Sequence, residues 1–512
     1  MLNQVMQRPI MLIIMDGFGV APKSQGNAIA MARPSNLIRL WNSSPHTYLK
    51  ASSEAVGLPA NTNGNSEVGH MNIGAGKVIY QNLPRINKAI NKGEYFQNAT
   101  LLSSFEHIRD TNSALHIAIC LSDGAVHSHI NHLMATIDVI VRNNIQQKVY
   151  IHAISDGRDV SPKSFLNYIN LLESKIANSP NITIATICGR AYAMDRNENW
   201  DRTSKYYDLL VNAQGSHNND YIQYIDSQYN NNITDEYFEP AVIDKSGFSG
   251  VKNNDAFIFL NFRPDRAIQI TKAFVDSGFT CFPRKQINNL LFISMVEYQK
   301  NLPQNVLFPK EYISLPIGRV ISDYGFRQLR IAESEKFPHV TYFLNGGLSI
   351  IHQGEDRIEI PSPNVPTYDM KPEMSATAIT EAIIDRIQND YYKFIAVNFA
   401  NGDMVAHTGN LEATIKSINT VDYCVNKLVA NFTARGGVTL ITSDHGNAEG
   451  LLNINTGEMD TEHSQNDVPF LICGDKLNIQ TLKYGSLCDI APTILKLAGF
   501  SAPDVMTGQA LF

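Results

Sequence analysis

No stretch of this chain approaches ~18 uninterrupted apolar residues, the length a helix needs to cross a bilayer. The N-terminal apolar run from Ile10 stops at Asp16 after six residues, too short for a signal-peptide core. No CxxC pair occurs. The six cysteines (Cys120, Cys188, Cys281, Cys424, Cys473 and Cys488) are scattered, most of them in or beside apolar runs where a free buried thiol is the default. That excludes a disulfide scaffold and points to a reducing compartment. There is no long basic run either, and 42 Lys and Arg against 49 Asp and Glu leave a net charge of -7. This balance argues against a nucleic-acid or anionic-membrane partner. The sequence shows no repeat of fixed period and no low-complexity linker. A soluble, cytoplasmic protein is expected, and any anionic ligand must be met by local arginines or by bound cations.

What is present is a recurring phrase. A short β-branched apolar run is followed by a polar residue and a glycine, then by a helical pattern. Ile10–Met15 leads to Asp16-Gly17, Val149–Ile154 to Asp156-Gly157-Arg158-Asp159, Ile182–Cys188 to Gly189-Arg190, and Val438–Thr442 to Asp444-His445-Gly446. Buried strands alternating with helices predict an α/β protein with mainly parallel sheets covered on both faces, and ligands bind beyond the carboxyl ends of such strands. Hydrophobic residues make up 44% of 512 residues, enough for large cores in about two to four domains. Helices are legible too. Ile415, Ile418, Val421, Val425, Leu428 and Phe432 recur at three- and four-residue steps and stop near Gly436-Gly437.

The chemistry at the strand ends is not uniform. At the two ends of the chain it is acids and histidines: Asp16, Asp403, His407, Asp444, His445 and His463. In the middle arginine is added: Arg158, Arg190, Arg196, Arg263 and Arg266. This asymmetry predicts a metal domain from residues 1–79 plus 311–512, with an anion-recognition domain, 80–310, inserted in it. Taken singly, each histidine is more simply a hydrogen-bonded core side chain, and Asp444 a helix cap. Together, mixed carboxylate and imidazole donors suit Mn, Zn, Fe or Co, and Asp444 and His445, being adjacent, can face two different ions. Ser66, within Gly64-Asn65-Ser66-Glu67-Val68-Gly69-His70, is expected to expose its hydroxyl on a tight turn, the plainer alternative being a serine that caps a short helix with Glu67 in its first turn. A metal would make it a nucleophile. Val68 occupies the position where a G-x-S-x-G hydrolase elbow needs glycine, which removes the Ser-His-Asp alternative.

The motifs GNSEVGH (64–70), LSDGAVHSH (121–129), DGRD (156–159), YAMDR (192–196), RPDRA (263–267), ESEKFPHVTYFLNGG (333–347), GDMVAH (402–407) and SDHGN (443–447) are similar, nearly end to end, to those of the cofactor-independent phosphoglycerate mutases of the alkaline phosphatase superfamily. The resemblance implies a discontinuous phosphatase-like domain with an inserted transferase domain, and Ser66 transiently phosphorylated. It implies one metal on Asp403, His407 and His463, a second on Asp16, Ser66, Asp444 and His445, manganese as the usual ion with Co²⁺ or Zn²⁺ possible, and no bisphosphoglycerate. His127, Arg158, Asp159, Arg190, Arg196, Arg263, Arg266 and Lys336 would contact 3-phosphoglycerate or 2-phosphoglycerate, with Asp159 as general acid and then base. The family suggests a monomer. Planar guanidinium forks suit both the phosphate and the carboxylate of such a substrate. His129 and His132 read as structural, Asp156 as a turn former, and Glu67 and His70 as local structure. Ala125 stands where glycine is frequent, Val160 where threonine is, and Ala191 where an aromatic is. Glu462 adds a carboxylate beside His463. The rival readings are a metal-dependent phosphatase or another phosphomutase of the superfamily, and a silent phosphate-binding scaffold. The arginine-rich insertion and the intact ligand set speak against them.

Overall fold

A computed structural model describes residues 8–389, 391–453 and 456–512. The chain divides into two compact units, one of Met1–Gln81 with Tyr312–Phe512 and the other of Asn82–Glu311. Each is built on an eight-stranded, mainly parallel sheet, as the alternation of buried runs and helices predicts.

In the discontinuous unit the sheet runs in the order Glu355–Ile360, Gln328–Glu333, Phe394–Phe399, Ile10–Met15, Val438–Thr442, Val468–Cys473, His46–Lys50 and Gly485–Ser486. The first five strands are parallel, and the pairings on either side of Val468–Cys473 are antiparallel. Ile10–Met15 is fully buried, so its alternating side chains feed two cores. Ile10, Leu12 and Ile14 join the helix Ile490–Leu497 on one face. Met11, Ile13 and Met15 meet the helix Leu411–Thr433 on the other, and the expected stripe of Ile418, Val421, Val425, Leu428 and Phe432 is the buried one. Register decides where the chemistry falls. Ile10 is level with both Phe394 and Val438, so the three central strands end together and the residues after Met15, Phe399 and Thr442 emerge at one sheet edge.

The continuous unit repeats the plan, with strands in the order Asn305–Phe308, Leu291–Val296, Ala256–Phe259, Leu115–Cys120, Val149–Ser155, Ile182–Gly189, Ala241–Ile243 and Ser216–Asn218. One pairing, Ile182–Gly189 with Ala241–Ile243, is antiparallel. Cys120 lies level with Ile154, and Ile154 with Cys188, so the segments carrying His127, Asp159 and Arg190 leave the sheet at a common edge. All six cysteines are free, and five are buried, Cys281 being exposed.

Leu428 is fully buried in the core that backs the central strands. Leu428→Ala is expected to cost about 2–5 kcal/mol, read as a lower denaturant midpoint at unchanged slope for the transition of that unit.

Candidate active site

Ser66 is not on an exposed turn, as its glycine-flanked setting suggests. It is the first residue of the helix Ser66–Ala75, capped by Asn65, whose side chain accepts the Val68 N–H at 2.9 Å, and it is 6% exposed. Asn65 takes the capping role, which frees the Ser66 hydroxyl for other partners. The glycines of the motif serve close approach. A Cβ on Gly69 would sit 2.6 Å from the Asp444 carbonyl oxygen, so a larger residue would push this helix off the loop that carries Asp444.

Around Ser66 Oγ, Lys336 Nζ lies at 2.8 Å, His445 Nε2 at 2.9 Å and Asp16 Oδ1 at 3.2 Å. The Lys336 ammonium is buried and donates also to Asp16 Oδ1 at 2.8 Å and Asp403 Oδ2 at 2.7 Å. Burial alone would lower its pKa, but Asp16, Asp403 and Asp444 raise it. Lys336 therefore sits inside the carboxylate cluster rather than on a surface.

Asp403, His407 and His463 meet at a point. His407 Nδ1 lies 2.7 Å from the Thr461 carbonyl, and His463 Nδ1 lies 2.9 Å from that of Gly64. A carbonyl only accepts, so each neutral ring carries its proton on Nδ1 and turns a lone pair outward from Nε2. These two Nε2 atoms are 3.0 Å apart and lie 3.2 and 3.1 Å from Asp403 Oδ1. Three lone pairs facing one another call for a shared cation. His445 turns its Nε2 to Ser66 Oγ, to Asp16 Oδ1 at 3.4 Å and to Asp444 Oδ2 at 3.6 Å, with Nδ1 3.2 Å from the Gly446 carbonyl; among these carboxylates Nε2 carries a proton that a cation would displace. Asp444 Oδ2 is fully buried and has no hydrogen-bond partner among the described residues. The residues present thus fit two divalent cations, one on Asp403, His407 and His463 and one on Asp16, Ser66, Asp444 and His445.

Asp403, His445 and His463 also bring ligand atoms within 4.8 Å of one another, as do Asp16, His70 and Asp444. His70 does not suit ligation. Its Nδ1 proton is directed to the Ser66 carbonyl at 2.9 Å, with Asp444 Oδ2 3.3 Å away as an ion-pair neighbour, and its Nε2 lies 3.1 Å from Asn398 Nδ2. Asn398 in turn donates to Asp16 Oδ2 at 2.7 Å, and Asn447 donates to Asp403 Oδ1 at 2.8 Å. His70, Asn398 and Asn447 form a supporting layer that the sequence reading does not find. Asn398 leaves one trace, a lone amide within the apolar strand Phe394–Phe399. Glu462 is exposed.

Burial alone would raise the Asp444 and Asp403 carboxyls. His445 and His70, with Lys336, hold Asp444 below the usual range, and Lys336 above all does the same for Asp403. Burial would lower His445, but Asp444, Asp16 and Asp403 push it up to about 10.

In the continuous unit, Arg190 follows its strand directly and is 2% exposed. Its Nη1 lies 2.5 Å from both Asp156 Oδ1 and Asp159 Oδ2. Asp156 does more than form a turn. It accepts the N–H groups of Arg158 and Asp159 at 3.3 and 3.1 Å, takes the Ser122 hydroxyl at 2.6 Å, and anchors Arg190. His127 Nε2 is 3.8 Å from Asp159 Oδ2, and burial, then Arg190, lower its pKa to about 4. Arg196 and Arg263 converge on Asp265, Arg158 is exposed and pairs with Glu236 at 3.4 Å, and Arg266 donates to the Met194 carbonyl at 3.1 Å. Burial lowers the Arg266 pKa, and Arg190, Arg196 and Arg158 lower it further, the mark of guanidiniums crowded for an anion. His129 caps the helix Ile130–Arg142, and His132 meets Asn87. Ala125 has φ +59°, the left-handed region, which is the physical reason a glycine suits this position.

The segment 86–300 matches the family model described as the BPG-independent PGAM N-terminus. The 2,3-bisphosphoglycerate-independent phosphoglycerate mutase of Moorella thermoacetica is 46% identical over 507 residues, covering 98% of each chain. That of Methanosarcina barkeri is 45% identical, covering 99% of this chain and 98% of its own. The crystal structure of Leishmania mexicana phosphoglycerate mutase at low cobalt concentration aligns with 99% of this chain and 98% of its own, at 30% identity and a TM-score of 0.54.

Two outcomes follow from this geometry. His445 keeps its proton in the cation-free protein up to about pH 10, and a ligating imidazole must lose it. Divalent-cation affinity should therefore fall as pH falls, by about tenfold per pH unit for each proton displaced. Calorimetric titration of chelator-treated protein with Co²⁺ in buffers of differing ionisation enthalpy reads both the affinity and the proton release; an affinity flat with pH contradicts the assignment. Ala125→Gly should raise the stability of the continuous unit by up to about 1 kcal/mol, through relief of the left-handed strain, in denaturant titration.

Proposed function

Since this chain belongs to the family of 2,3-bisphosphoglycerate-independent phosphoglycerate mutases, we propose that it interconverts 3-phosphoglycerate and 2-phosphoglycerate through a phosphoserine on Ser66. The observation that carries this reading is the setting of Ser66 Oγ, buried and within 3.2 Å of Lys336 Nζ, His445 Nε2 and Asp16 Oδ1. No residue of its own helix offers it a base. Its activation comes from groups remote in the chain.

Asp403, His407 and His463 would hold one divalent cation and Asp16, Ser66, Asp444 and His445 a second; Mn²⁺, Co²⁺ and Zn²⁺ all suit this carboxylate and imidazole set, and we take Mn²⁺ as the resident ion. Bound there, such cations neutralise phosphoryl charge and make the Ser66 hydroxyl easier to deprotonate.

Ser66 Oγ attacks the phosphorus, and the Lys336 ammonium, already at hydrogen-bond distance from that oxygen, offsets charge on the phosphoryl group. The bond from phosphorus to the glycerate oxygen breaks, and Asp159 passes a proton to the departing alkoxide. Glycerate is held by its carboxylate and reorients. Asp159 then takes the proton from the other hydroxyl, whose oxygen attacks the phosphoserine and releases Ser66 Oγ as the oxyanion that made the first attack, its proton having been given up before the substrate binds. Arg190, fixed by Asp156, keeps Asp159 in place; Arg158, Arg196, Arg263, Arg266 and His127 bind the anionic groups of the substrate. The cycle starts from unphosphorylated Ser66 and returns the same phosphoryl group to the same glycerate, so no bisphosphoglycerate is needed. We place the enzyme in glycolysis and gluconeogenesis, in the cytoplasm and acting as a monomer. Five buried free thiols accord with a reducing compartment, and no helix of the described residues is long and apolar enough to cross a membrane.

The test is a rapid acid quench of enzyme turning over 3-phosphoglycerate labelled in its phosphate, followed by peptide mapping. Label is expected on Ser66. Ser66→Ala should lose it along with at least about 10³-fold in kcat. Label on another residue, or inorganic phosphate released as fast as 2-phosphoglycerate, would contradict the reading.

A further inference from the structure

Asp265 lies among the arginines assigned to the substrate and has no role in the reaction described above. Its Oδ2 is 2.7 Å from Arg196 Nη1 and its Oδ1 is 3.1 Å from Arg263 Nε. A carboxylate bridging two guanidiniums is the arrangement a glycerate carboxylate or a phosphate would itself adopt there. All three side chains are solvent-accessible, at 32% for Asp265, 45% for Arg196 and 49% for Arg263. Exposed pairs of this kind are worth little, so an incoming anion can replace the carboxylate cheaply. Arg190 differs, since it is buried and held from two sides by Asp156 and Asp159.

Two further observations point the same way. His127 Nδ1 is buried, has no hydrogen-bond partner among the described residues, and lies 3.9 Å from Asp265 Oδ1, so a polar atom faces the same spot unsatisfied. The charge count is also tight. In the free protein five arginines (Arg158, Arg190, Arg196, Arg263 and Arg266) stand against four carboxylates (Asp156, Asp159, Glu236 and Asp265), an excess of one positive charge that protonation of Asp159 raises to two, for a ligand bearing both a phosphate and a carboxylate.

We infer that Asp265 is an internal competitor for the substrate's anionic group: it holds Arg196 and Arg263 in the free enzyme and yields them when phosphoglycerate binds. The inference rests on the reading of these arginines as substrate ligands. Asp265 acts through the arginines, and its removal should strengthen binding, the opposite of what loss of an orienting residue would do.

The measurement is calorimetric titration of 3-phosphoglycerate into full-length, Mn²⁺-loaded Ser66→Ala protein, which cannot turn the ligand over, with and without a further change at Asp265. Asp265→Asn should tighten the Kd by about two- to fivefold, the value of an exposed ion pair, and Asp265→Glu should restore it. In the enzyme with Ser66 intact, KM should fall by the same factor while kcat does not rise. In an Arg196→Ala/Arg263→Ala background, Asp265→Asn should no longer tighten binding. An unchanged or weaker Kd for Asp265→Asn overturns the inference, as does equal tightening without the two arginines. The two readings fail separately. If Arg196→Ala and Arg263→Ala each weaken binding but Asp265→Asn does not tighten it, the competitor role alone falls. If neither arginine variant weakens binding, their assignment to the substrate falls, and the inference with it.

Discussion

Three carboxylates, Asp16, Asp403 and Asp444, are buried together at the carboxyl edge of one sheet, and the discontinuous unit is organised around compensating their charge. Buried anions are costly unless paired, and here the compensation is layered. Lys336 reaches two of them directly, and His445 is drawn up in pKa by all three. His407 and His463 turn Nε2 toward Asp403, an orientation that suits a cation held between them. The backbone is built to the same end. Parallel strands in matched register deliver Asp16, Asp403 and Asp444 side by side, and Gly69 lets the helix of Ser66 come down onto the Asp444 loop.

The continuous unit solves the inverse problem. Its arginines are crowded together, so that burial and then Arg190, Arg196 and Arg158 lower the Arg266 pKa, and each is steadied by an acid or a carbonyl. Asp156 fixes Arg190 permanently, whereas Asp265 holds Arg196 and Arg263 in an exposed pair open to exchange. A cluster that only opened phosphate esters would need fewer guanidiniums. Retaining glycerate while its phosphate changes oxygen requires a grip on the part of the substrate that is not reacting.

Much of this was legible in the residues. Strand-end Asp and His residues, and the apolar stripe from Ile418 to Phe432, follow from periodicity, because burial on both sheet faces leaves a plain pattern. Asp16, Ser66, Lys336, Asp403, His407, Asp444, His445 and His463 lie within one sheet edge's reach of each other although they come from opposite ends of the chain. What stayed hidden depends on contacts that local pattern does not encode. Asn65 caps the helix that Ser66 begins, His70 gives its Nδ1 proton to the Ser66 carbonyl and accepts from Asn398 at Nε2, and Asp156 serves a turn and an arginine more than thirty positions away. At Ala125 the sequence shows only a departure from a familiar glycine, and its left-handed backbone emerges from the fold.

The claim on which the rest depends is that the buried carboxylates and the outward-facing Nε2 atoms form two cation sites. Anomalous diffraction at the manganese edge from crystals of the Mn²⁺-loaded protein tests it most directly. Two peaks are predicted, one among Asp403, His407 and His463 and one among Asp16, Ser66, Asp444 and His445. A single peak, or one coordinated by His70 in place of His445, would contradict it.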